Sequence, residues 1–220
     1  MENEIPKQFL EEDGKAVIIY TLEVFENQDF IDGIVVVCIE SWISYLQDLI
    51  EDAGLQKVIS VIPGGETALE SQYSGLQEIQ DRFGEEDVTV LIHDGVRPMV
   101  DGETIQKCLI AVNQYGNAIT VSKEKETVIK MDDRECIADI LDRNGCYVAR
   151  APQCFRLCDI LGVHEQAIRD GRHNFIDSAS MMMAYGHKLH VIMGNPENIK
   201  ITTQSDYDMF SGMLQGKKDT

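Results

Sequence analysis

The sequence predicts an α/β fold, a Rossmann-like three-layer sandwich from which a β-hairpin arm protrudes. Helical and strand patterns alternate through the first half of the 220 residues, which indicates a layered sheet with right-handed crossovers. The run 34–39 is continuously apolar and rich in β-branched residues, as in strands buried on both faces of a parallel sheet. Polar residues beside Pro or Gly then follow several predicted strands, where open α/β sheets gather their ligand groups.

The helices and strands of the first half are predicted from the spacing of their apolar residues and from the Gly and Pro residues that end them. Thr67 begins a long helix, because Glu70 stands three residues later in capping-box position. The predicted elements around it are helix 17–25, strand 34–39, helix 42–53, strand 57–62, strand 88–92, helix 104–114 and strand 118–121.

The pattern changes at residues 127–148, which predict the hairpin arm. Two short alternating stretches, 127–130 and 137–140, flank the turn-like sequence Asp132-Asp133-Arg134. Apolar residues on an extended arm need a partner surface, so we expect a homodimer. Helices near 156–170 and 178–185, a strand at 187–193 and a helix from Ser205 complete one domain spanning residues 1–220, without a linker.

The composition excludes several classes of protein. With 44% hydrophobic and 26% charged residues, the chain is typical of soluble globular proteins. It contains no apolar run near the roughly 20 residues of a membrane span, and its first residues lack the features of a signal peptide. We therefore expect a cytoplasmic protein. The net charge of −19 disfavours nucleic acid and anionic lipid as partners, but a few cations in one cleft can still bind a small anion.

The cysteines and methionines favour packing roles. The six cysteines form no Cys-x-x-Cys pair, and Cys154 and Cys158 could share a helix face without a histidine at zinc-finger spacing. We predict buried, reduced thiols. The run of three methionines at 181–183 predicts core packing rather than a ligand site.

Four short segments carry the functional signal. They are Pro-Lys-Gln-Phe at 6–9, His-Asp-Gly-Val-Arg-Pro at 93–98, Ala-Arg-Ala-Pro-Gln at 149–153 and Pro-Glu-Asn-Ile-Lys-Ile-Thr at 196–202. In this order they resemble the cytidylyltransferases that activate polyol phosphates with CTP, a family that includes the 2-C-methyl-D-erythritol 4-phosphate and ribitol 5-phosphate enzymes. The resemblance implies the nucleotide-diphospho-sugar transferase type of fold. It also implies that CTP and a polyol phosphate give a CDP-polyol and pyrophosphate, with Mg²⁺ as the cofactor.

Asp94, Lys7 and Lys200 are the central candidates. An Asp at a buried strand end can hold a divalent cation, although it often only begins a turn or caps a helix. The resemblance places Asp94 by the CTP ribose and Mg²⁺. It makes Lys7 a contact to the CTP phosphates, and it makes Lys200 the group that stabilises charge on the α-phosphate during in-line attack. A lysine outside such a motif is usually a solvated surface charge.

Gly64, Gly65 and Ser71 resemble the loop that surrounds the cytosine. Two glycines after a strand allow the backbone to approach a base closely, and a helix N-terminus offers unpaired N–H groups. A plain strand-to-helix turn is the alternative. Where the family commonly has Arg-Gln, this chain has Ala68-Leu69, so fewer groups specify the base.

The acceptor's phosphate falls, by the resemblance, at Thr127, Arg143 and residue 151. Arg143 lies on the arm, which in this family crosses to the other subunit, and its guanidinium suits a phosphate. The alternative for Arg143 is a salt bridge within the arm, to Asp139 or Asp142. Residue 151 is often Thr in the family and is Ala here, and Arg150 is a candidate to compensate.

Three further positions bear on the reaction. Val96 resembles the ribitol 5-phosphate and capsule-associated branch, whereas members of the isoprenoid pathway commonly have Ala there. His164 and His173 are rejected as general bases, because they occupy polar helical stretches and a phosphate nucleophile is already ionised. The role of Asp177, at an acidic turn, stays open.

The chain begins where the family's glycine-rich nucleotide loop ends. Family members open with a strand and a loop that holds an Arg and a Lys, ahead of the Pro-Lys-Gln segment. That strand is expected at the sheet centre, so its neighbours here are expected to become edges. A start codon placed too late, a shortened chain or a non-catalytic relative would each account for this beginning. The alternative function is therefore a non-catalytic dimeric binder of nucleotide or polyol phosphate.

Overall fold

The computed structural model describes residues 5–84 and 88–218, and it has the predicted α/β architecture. Residues 1–4, on which the signal-peptide argument rests, lie outside this range. The helices are α1 (Val17–Glu26), α2 (Ile43–Asp52), α3 (Ala68–Phe83), α4 (Gly102–Tyr115), α5 (Leu157–Arg169), α6 (Ser178–Ala184) and α7 (Gln204–Lys218). The strands are β1 (Glu11–Glu12), β2 (Lys15–Ala16), β3 (Ile34–Cys38), β4 (Val58–Pro63), β5 (Thr89–Ile92), β6 (Asn117–Lys123), β7 (Ile129–Met131), β8 (Ile137–Ile140), β9 (Tyr147–Arg156) and β10 (Val191–Met193).

The main sheet is divided into two parts. Strands β3 and β4 pair in parallel, and the other part has the order β10-β6-β9-β5. Within it, β6 and β10 are parallel, while the long β9 runs antiparallel to both β5 and β6. Among the described residues, β3 and β5 each pair on one side only.

Helices span the division and keep both parts in one layer. Ile34 of β3 and Leu91 of β5 pack against the same buried cluster, which includes Phe25 of α1 and Ile105 of α4. On the other face, α3 approaches β3 so closely that a Cβ on its Gly75 would lie 3.0 Å from Val37. Helices α1 and α4 therefore pack against strands of both parts of the sheet.

The core confirms part of the packing prediction and corrects the rest. Met181 and Met182 are buried beside Phe155, but Met183 is exposed. The cysteines divide in the same way: Cys38, Cys108 and Cys154 are buried, whereas Cys136 and Cys158 are exposed. Cys154 and Cys158 do not share a helix face, because Cys154 lies on β9 and only Cys158 lies on α5.

The arm is a β-hairpin, as predicted. Strand β7 pairs antiparallel with β8, and the Asp132 carboxylate accepts hydrogen bonds from the backbone N–H groups of Arg134 and Cys136, both at 2.9 Å. Ile137 and Ile140 are each more than 60% exposed. The arm thus presents an apolar surface with no intrachain cover among the described residues, and the dimer stays a prediction.

Some strands are shorter than predicted. Strand β10 is shorter than the predicted 187–193, and Thr127 precedes β7 instead of beginning it. Helix α3 begins with the predicted capping box: the Thr67 side chain accepts a hydrogen bond from the Glu70 N–H, and the Glu70 side chain accepts one from the Thr67 N–H. In the described part of the chain, no helix has the length and apolar character to cross a membrane.

Candidate active site

Asp94, Arg97 and Lys200 form an ion-paired group at the carboxyl end of β5. The Asp94 carboxylate accepts hydrogen bonds from Lys200 Nζ at 2.7 Å and from Arg97 Nε at 2.8 Å, one on each oxygen. Burial acts to raise the pKa of Asp94, but the hydrogen bonds and charges of Lys200 and Arg97 hold it below its ordinary value. Two positive groups thus converge on one carboxylate, which leaves a net positive site suited to phosphate.

The turn that carries Asp94 is fixed by its neighbours. The Arg97 N–H donates to the Asp94 carbonyl at 3.0 Å, and Thr21 of α1 donates to the Gly95 carbonyl at 2.9 Å. His93 Nε2 lies 3.2 Å from the Arg97 carbonyl, so this nitrogen carries the hydrogen. Burial lowers the pKa of His93 to about 4, and the imidazole is neutral at pH 7. His93 therefore supports the turn and adds no charge to the site.

Asn198 links the Lys200 segment to strand β9 and to the turn that carries Asp94. Its side chain is 1% exposed, and its Nδ2 donates to the Ala151 carbonyl of β9 at 2.6 Å. Its backbone carbonyl accepts from Arg97 Nη1 at 3.1 Å. The segment is tied a third time by Ile201, whose N–H donates to the Val96 carbonyl at 2.9 Å. Sequence reasoning missed Asn198, although its place two residues before Lys200 in the Pro-Glu-Asn-Ile-Lys motif was a signal.

Helix α7 anchors the other end of the Lys200 segment. The Asp206 carboxylate accepts four hydrogen bonds, from the backbone N–H and the hydroxyl of both Thr202 and Thr203. These bonds lower the pKa of Asp206 to about 2. Lys200 is therefore held between the buried Asn198 on one side and a capped helix on the other.

Lys7 lies on a segment that packs near this group. It begins a 3₁₀ turn, Lys7–Phe9, and the Phe9 ring stacks on Trp42 with centroids 4.8 Å apart. The following Leu10 packs in the same apolar cluster as Val96 and Ile201, which flank the Asp94 turn and Lys200. Within residues 5–84 and 88–218, the Lys7 side chain has neither a hydrogen bond nor an ion pair. Its contact to the nucleotide phosphates stays a prediction.

Gly64, Gly65 and Ser71 form the turn between β4 and α3. The Ser71 hydroxyl accepts from the Gly65 N–H at 3.1 Å and donates to the Thr67 carbonyl at 3.0 Å. A Cβ on Gly64 would lie 2.8 Å from Ser71 Oγ, and one on Gly65 would lie 2.5 Å from the Cβ of Glu70. Close packing of the helix end therefore accounts for both glycines, as the strand-to-helix alternative requires. Contact with the cytosine stays a prediction.

The three acceptor candidates lie around the arm. Thr127 is exposed in the loop before β7. Arg143 lies in the 3₁₀ turn Arg143–Gly145, where its Nη1 donates to the Lys125 carbonyl at 3.2 Å. Among the described residues Arg143 forms no ion pair, so the alternative of a bridge to Asp139 or Asp142 is not observed. These two residues are not in contact with the Asp94 group.

Arg150, the third acceptor candidate, lies closer to the Asp94 group. It is half-buried on β9, and its Nε donates to the Ser122 hydroxyl at 3.1 Å. Its charge is close enough to Arg97 for repulsion between the two to lower the pKa of Arg150, in addition to the larger effect of burial. A cavity of about 530 Å³ opens at the base of the arm, between its root and strand β9, and Tyr147 and Val148 line part of it.

Asp177 has a structural role that the sequence left open. One of its carboxylate oxygens caps α6 by accepting from the Ser180 N–H at 2.8 Å, and the other accepts from Gln153 Nε2 at 2.7 Å. The adjacent Ser178 donates to Gln72 of α3 at 2.7 Å. The α6 end therefore connects the end of β9 to the helix that begins at the Gly64 turn.

The two rejected histidines occupy different environments. His173 is exposed, as its polar surroundings indicated. His164 is 4% exposed, stacks on Tyr73 with centroids 5.5 Å apart, and has its pKa lowered to about 4 by burial. The polar stretch after it, Glu165 and Gln166, is present as predicted, but α5 turns His164 itself toward the core.

The donor set limits how Mg²⁺ could bind. Within the described ranges, no group of three or more His, Cys, Asp or Glu residues forms a metal site. In the group formed by Asp94, Arg97 and Lys200, the carboxylate of Asp94 is the only acidic side chain. Mg²⁺ is often held by one or two carboxylates together with substrate phosphates and water. The residues present therefore fit Mg²⁺ only if the nucleotide supplies further oxygen ligands beside Asp94.

Comparison with known proteins identifies the family. The profile described as "IspD: 2-C-methyl-D-erythritol 4-phosphate cytidylyltransferase" matches residues 1–215. The chain belongs to this cytidylyltransferase family. A ribitol-5-phosphate cytidylyltransferase of Vibrio parahaemolyticus is 46% identical over 214 residues, which cover 97% of this chain and 90% of the relative. A 2-C-methyl-D-erythritol 4-phosphate cytidylyltransferase of Clostridium botulinum is 34% identical, covering 98% and 92% of the two chains.

Solved structures of the cytidylyltransferase family share the fold. The 4-diphosphocytidyl-2C-methyl-D-erythritol synthase of Anaerococcus prevotii aligns with a TM-score of 0.84 and 27% identity, over 93% of this chain and 88% of that one. The Francisella tularensis 2-C-methyl-D-erythritol 4-phosphate cytidylyltransferase aligns with a TM-score of 0.76 and 25% identity, over 94% of each chain. The predicted Rossmann-like α/β fold is thereby confirmed.

Proposed function

We propose that this cytidylyltransferase transfers CMP from CTP to a polyol phosphate and releases pyrophosphate. The observation that carries the proposal is the convergence of Lys200 and Arg97 on Asp94 in a chain of this family. An oxygen of the acceptor's phosphate attacks the α-phosphorus of CTP, and the bond to the β-phosphate breaks as pyrophosphate leaves with the electron pair. No covalent enzyme intermediate is needed.

Each residue of the site has its own role in this reaction. Lys200 supplies positive charge where the α-phosphate gains negative charge in the transition state. Lys7 contacts the triphosphate, and Gly64, Gly65 and Ser71 approach the base. Asp94 would hold Mg²⁺ together with the CTP phosphates, and the ion would neutralise charge on those phosphates. Thr127, Arg143 and Arg150 are the proposed contacts to the acceptor's phosphate.

Ribitol 5-phosphate is the acceptor we favour. Relatives named ribitol-5-phosphate cytidylyltransferase from Vibrio parahaemolyticus and Streptococcus agalactiae are 41–46% identical to this chain, and one from Lacticaseibacillus paracasei is 34% identical. Relatives named for 2-C-methyl-D-erythritol 4-phosphate are 32–34% identical. We place the reaction in the cytoplasm, where CTP is available. We also propose a homodimer in which the arm crosses to the partner, because Ile137 and Ile140 are exposed on it.

Release of pyrophosphate tests the function directly. The purified chain is incubated with CTP and Mg²⁺ and with either ribitol 5-phosphate or 2-C-methyl-D-erythritol 4-phosphate. We expect release with both substrates present, a higher kcat/KM for ribitol 5-phosphate, and loss of activity on removal of Mg²⁺. Binding of CTP without any release of pyrophosphate would instead support the alternative, a non-catalytic binder.

A further inference from the structure

A hydrogen bond joins the side chains of Arg150 and Ser122, which lie on neighbouring strands. Val148 of β9 lies opposite Ser122 of β6, and Arg150 follows two residues later, where the register between the two strands shifts. Its Nε donates to the Ser122 hydroxyl at 3.1 Å, and the Ser122 residue is 3% exposed. A buried hydroxyl on a central strand therefore fixes the plane of the guanidinium at its inner edge.

The outer edge of this guanidinium has no partner. Among the described residues, Arg150 forms no hydrogen bond other than that to Ser122 and no ion pair. Glu124 is close enough to act on its charge, but the Glu124 Oε1 accepts from the N–H groups of Lys125 and Glu126, each at 2.7 Å. The two terminal nitrogens of Arg150 are thus available to a ligand.

The charges around Arg150 favour an anion there. Arg97 repels it, and burial together with this repulsion lowers the pKa of Arg150. A half-buried guanidinium beside another one is costly until a negative group binds. A phosphate matches the planar fork of Arg through two parallel hydrogen bonds. The site is therefore arranged for a phosphate group.

We propose that Arg150 binds the phosphate of the polyol phosphate acceptor within its own subunit, and that Ser122 is the residue that positions it. This inference rests on the proposed function, and it assigns to Ser122 a role in acceptor recognition. The location supports the acceptor rather than CTP, because Arg150 lies between the arm root at Tyr147 and Ala151, whose carbonyl is bound by Asn198. An acceptor held there lies beside Arg97, which contacts Asp94.

Calorimetric binding of ribitol 5-phosphate, of ribitol and of CTP to the purified chain tests this inference. Arg150→Gln is expected to weaken ribitol 5-phosphate binding about ten- to a hundredfold, as for the loss of a charge-assisted contact, with CTP affinity changed less than twofold. Ser122→Ala is expected to give a smaller loss, of about three- to tenfold, and Ser122→Thr, which keeps the hydroxyl, to restore affinity. Arg134→Gln, at the exposed turn of the arm, is the matched control and should leave both affinities unchanged.

The outcomes separate this inference from the proposed function. Wild-type binding of ribitol 5-phosphate no tighter than that of ribitol overturns the inference, as does an Arg150→Gln protein with wild-type affinity or with equal losses for both ligands. If Ser122→Ala alters CTP and ribitol 5-phosphate binding equally, Ser122 has only a structural role and its assignment fails. Absence of pyrophosphate release together with the expected binding pattern rejects the proposed function alone.

Discussion

The side-chain amide of Asn198 donates a hydrogen bond to the backbone carbonyl of Ala151 at 2.6 Å. This bond joins the segment of Lys200 to strand β9, which continues into the arm. Because Asn198 also accepts from Arg97 through its own carbonyl, the lysine, the Asp94 turn and the root of the arm form one connected unit. We therefore expect a displacement of the arm to reach the residues that we propose contact the nucleotide.

Replacing Lys200 tests the transition-state role. Lys200→Ala is expected to lower kcat and kcat/KM together, because its charge is needed chiefly as the α-phosphate becomes pentacoordinate. The expected loss is about 1.5–3 kcal/mol, or roughly ten- to a hundredfold. Steady-state kinetics with varied CTP measure it, with the exposed Lys107→Ala as the control. A rise in KM for CTP at unchanged kcat would show that Lys200 only binds the ground state.

Replacing Arg143 tests the acceptor contact and the crossing of the arm. Arg143→Ala is expected to raise KM for the polyol phosphate by roughly tenfold or more, with KM for CTP little changed, since a charge-assisted phosphate contact binds ground and transition states alike. Initial rates at varied concentrations of each substrate provide the measurement. An equal rise in both KM values contradicts the assignment.

Mixed dimers decide which subunit Arg143 serves. If the arm crosses, a heterodimer of Arg143→Ala and Lys200→Ala subunits has one site with both defects and one site with neither. Activity should then partly return when the two variants are mixed and allowed to exchange subunits. If Arg143 serves its own subunit, every site carries one defect and mixing restores nothing, which rejects the crossed arm.

The exposed apolar face of the arm predicts its role in dimerisation. Ile137→Asp combined with Ile140→Asp is expected to shift the chain from dimer to monomer at micromolar concentration, because two charges would enter an apolar interface. Light scattering reports the mass. Ile176→Asp is the control, since Ile176 is 94% exposed but lies outside the arm. A monomeric wild-type chain contradicts the prediction.

Two buried histidines predict a loss of stability in acid. The pKa values of His93 and His164 are lowered to about 4 by burial, so between about pH 6.5 and pH 4 the unfolded chain binds more protons than the folded one. Their contribution is fully present above pH 6.5 and is lost as the pH falls through this window.

Replacing one of these histidines measures its own contribution to the pH dependence of the unfolding free energy. His164→Phe, which keeps an aromatic ring against Tyr73, is expected to reduce the difference in unfolding free energy between pH 7 and pH 5 by about 1–2 kcal/mol. Denaturant unfolding at the two pH values measures that difference. His173→Phe, at an exposed site, should keep the wild-type difference. An unchanged difference for His164→Phe would mean that folding does not lower the pKa of His164.

The sequence predicts those parts of the molecule that depend on short-range pattern. The alternating helices and strands, the capping box at Thr67 and Glu70 and the hairpin arm are local in origin, and the structure confirms them. The turn of Asp94 and the segment of Lys200 were identified through their motifs, and the structure brings these two side chains together.

Contacts between distant segments could not be read in the same way. Asn198 and Ala151 are 47 residues apart, and Ser122 and Arg150 are 28 apart. Their hydrogen bonds depend on strand order and register, which periodicity does not specify. The burial of His164 was missed for a related reason: its neighbours along α5 are polar, but its own position on the helix faces the core.

Asp94 also acts as an internal counterion at this site. Its carboxylate neutralises part of the charge of Lys200 and Arg97 through contacts at 2.7 and 2.8 Å, so the cleft does not present two bare cations to the solvent. We expect the phosphates of a bound nucleotide to take the place of the carboxylate beside Lys200, so that one anion is exchanged for another. In that exchange Lys200 would keep a negative partner, and inorganic anions would have to compete with a carboxylate that is covalently part of the chain.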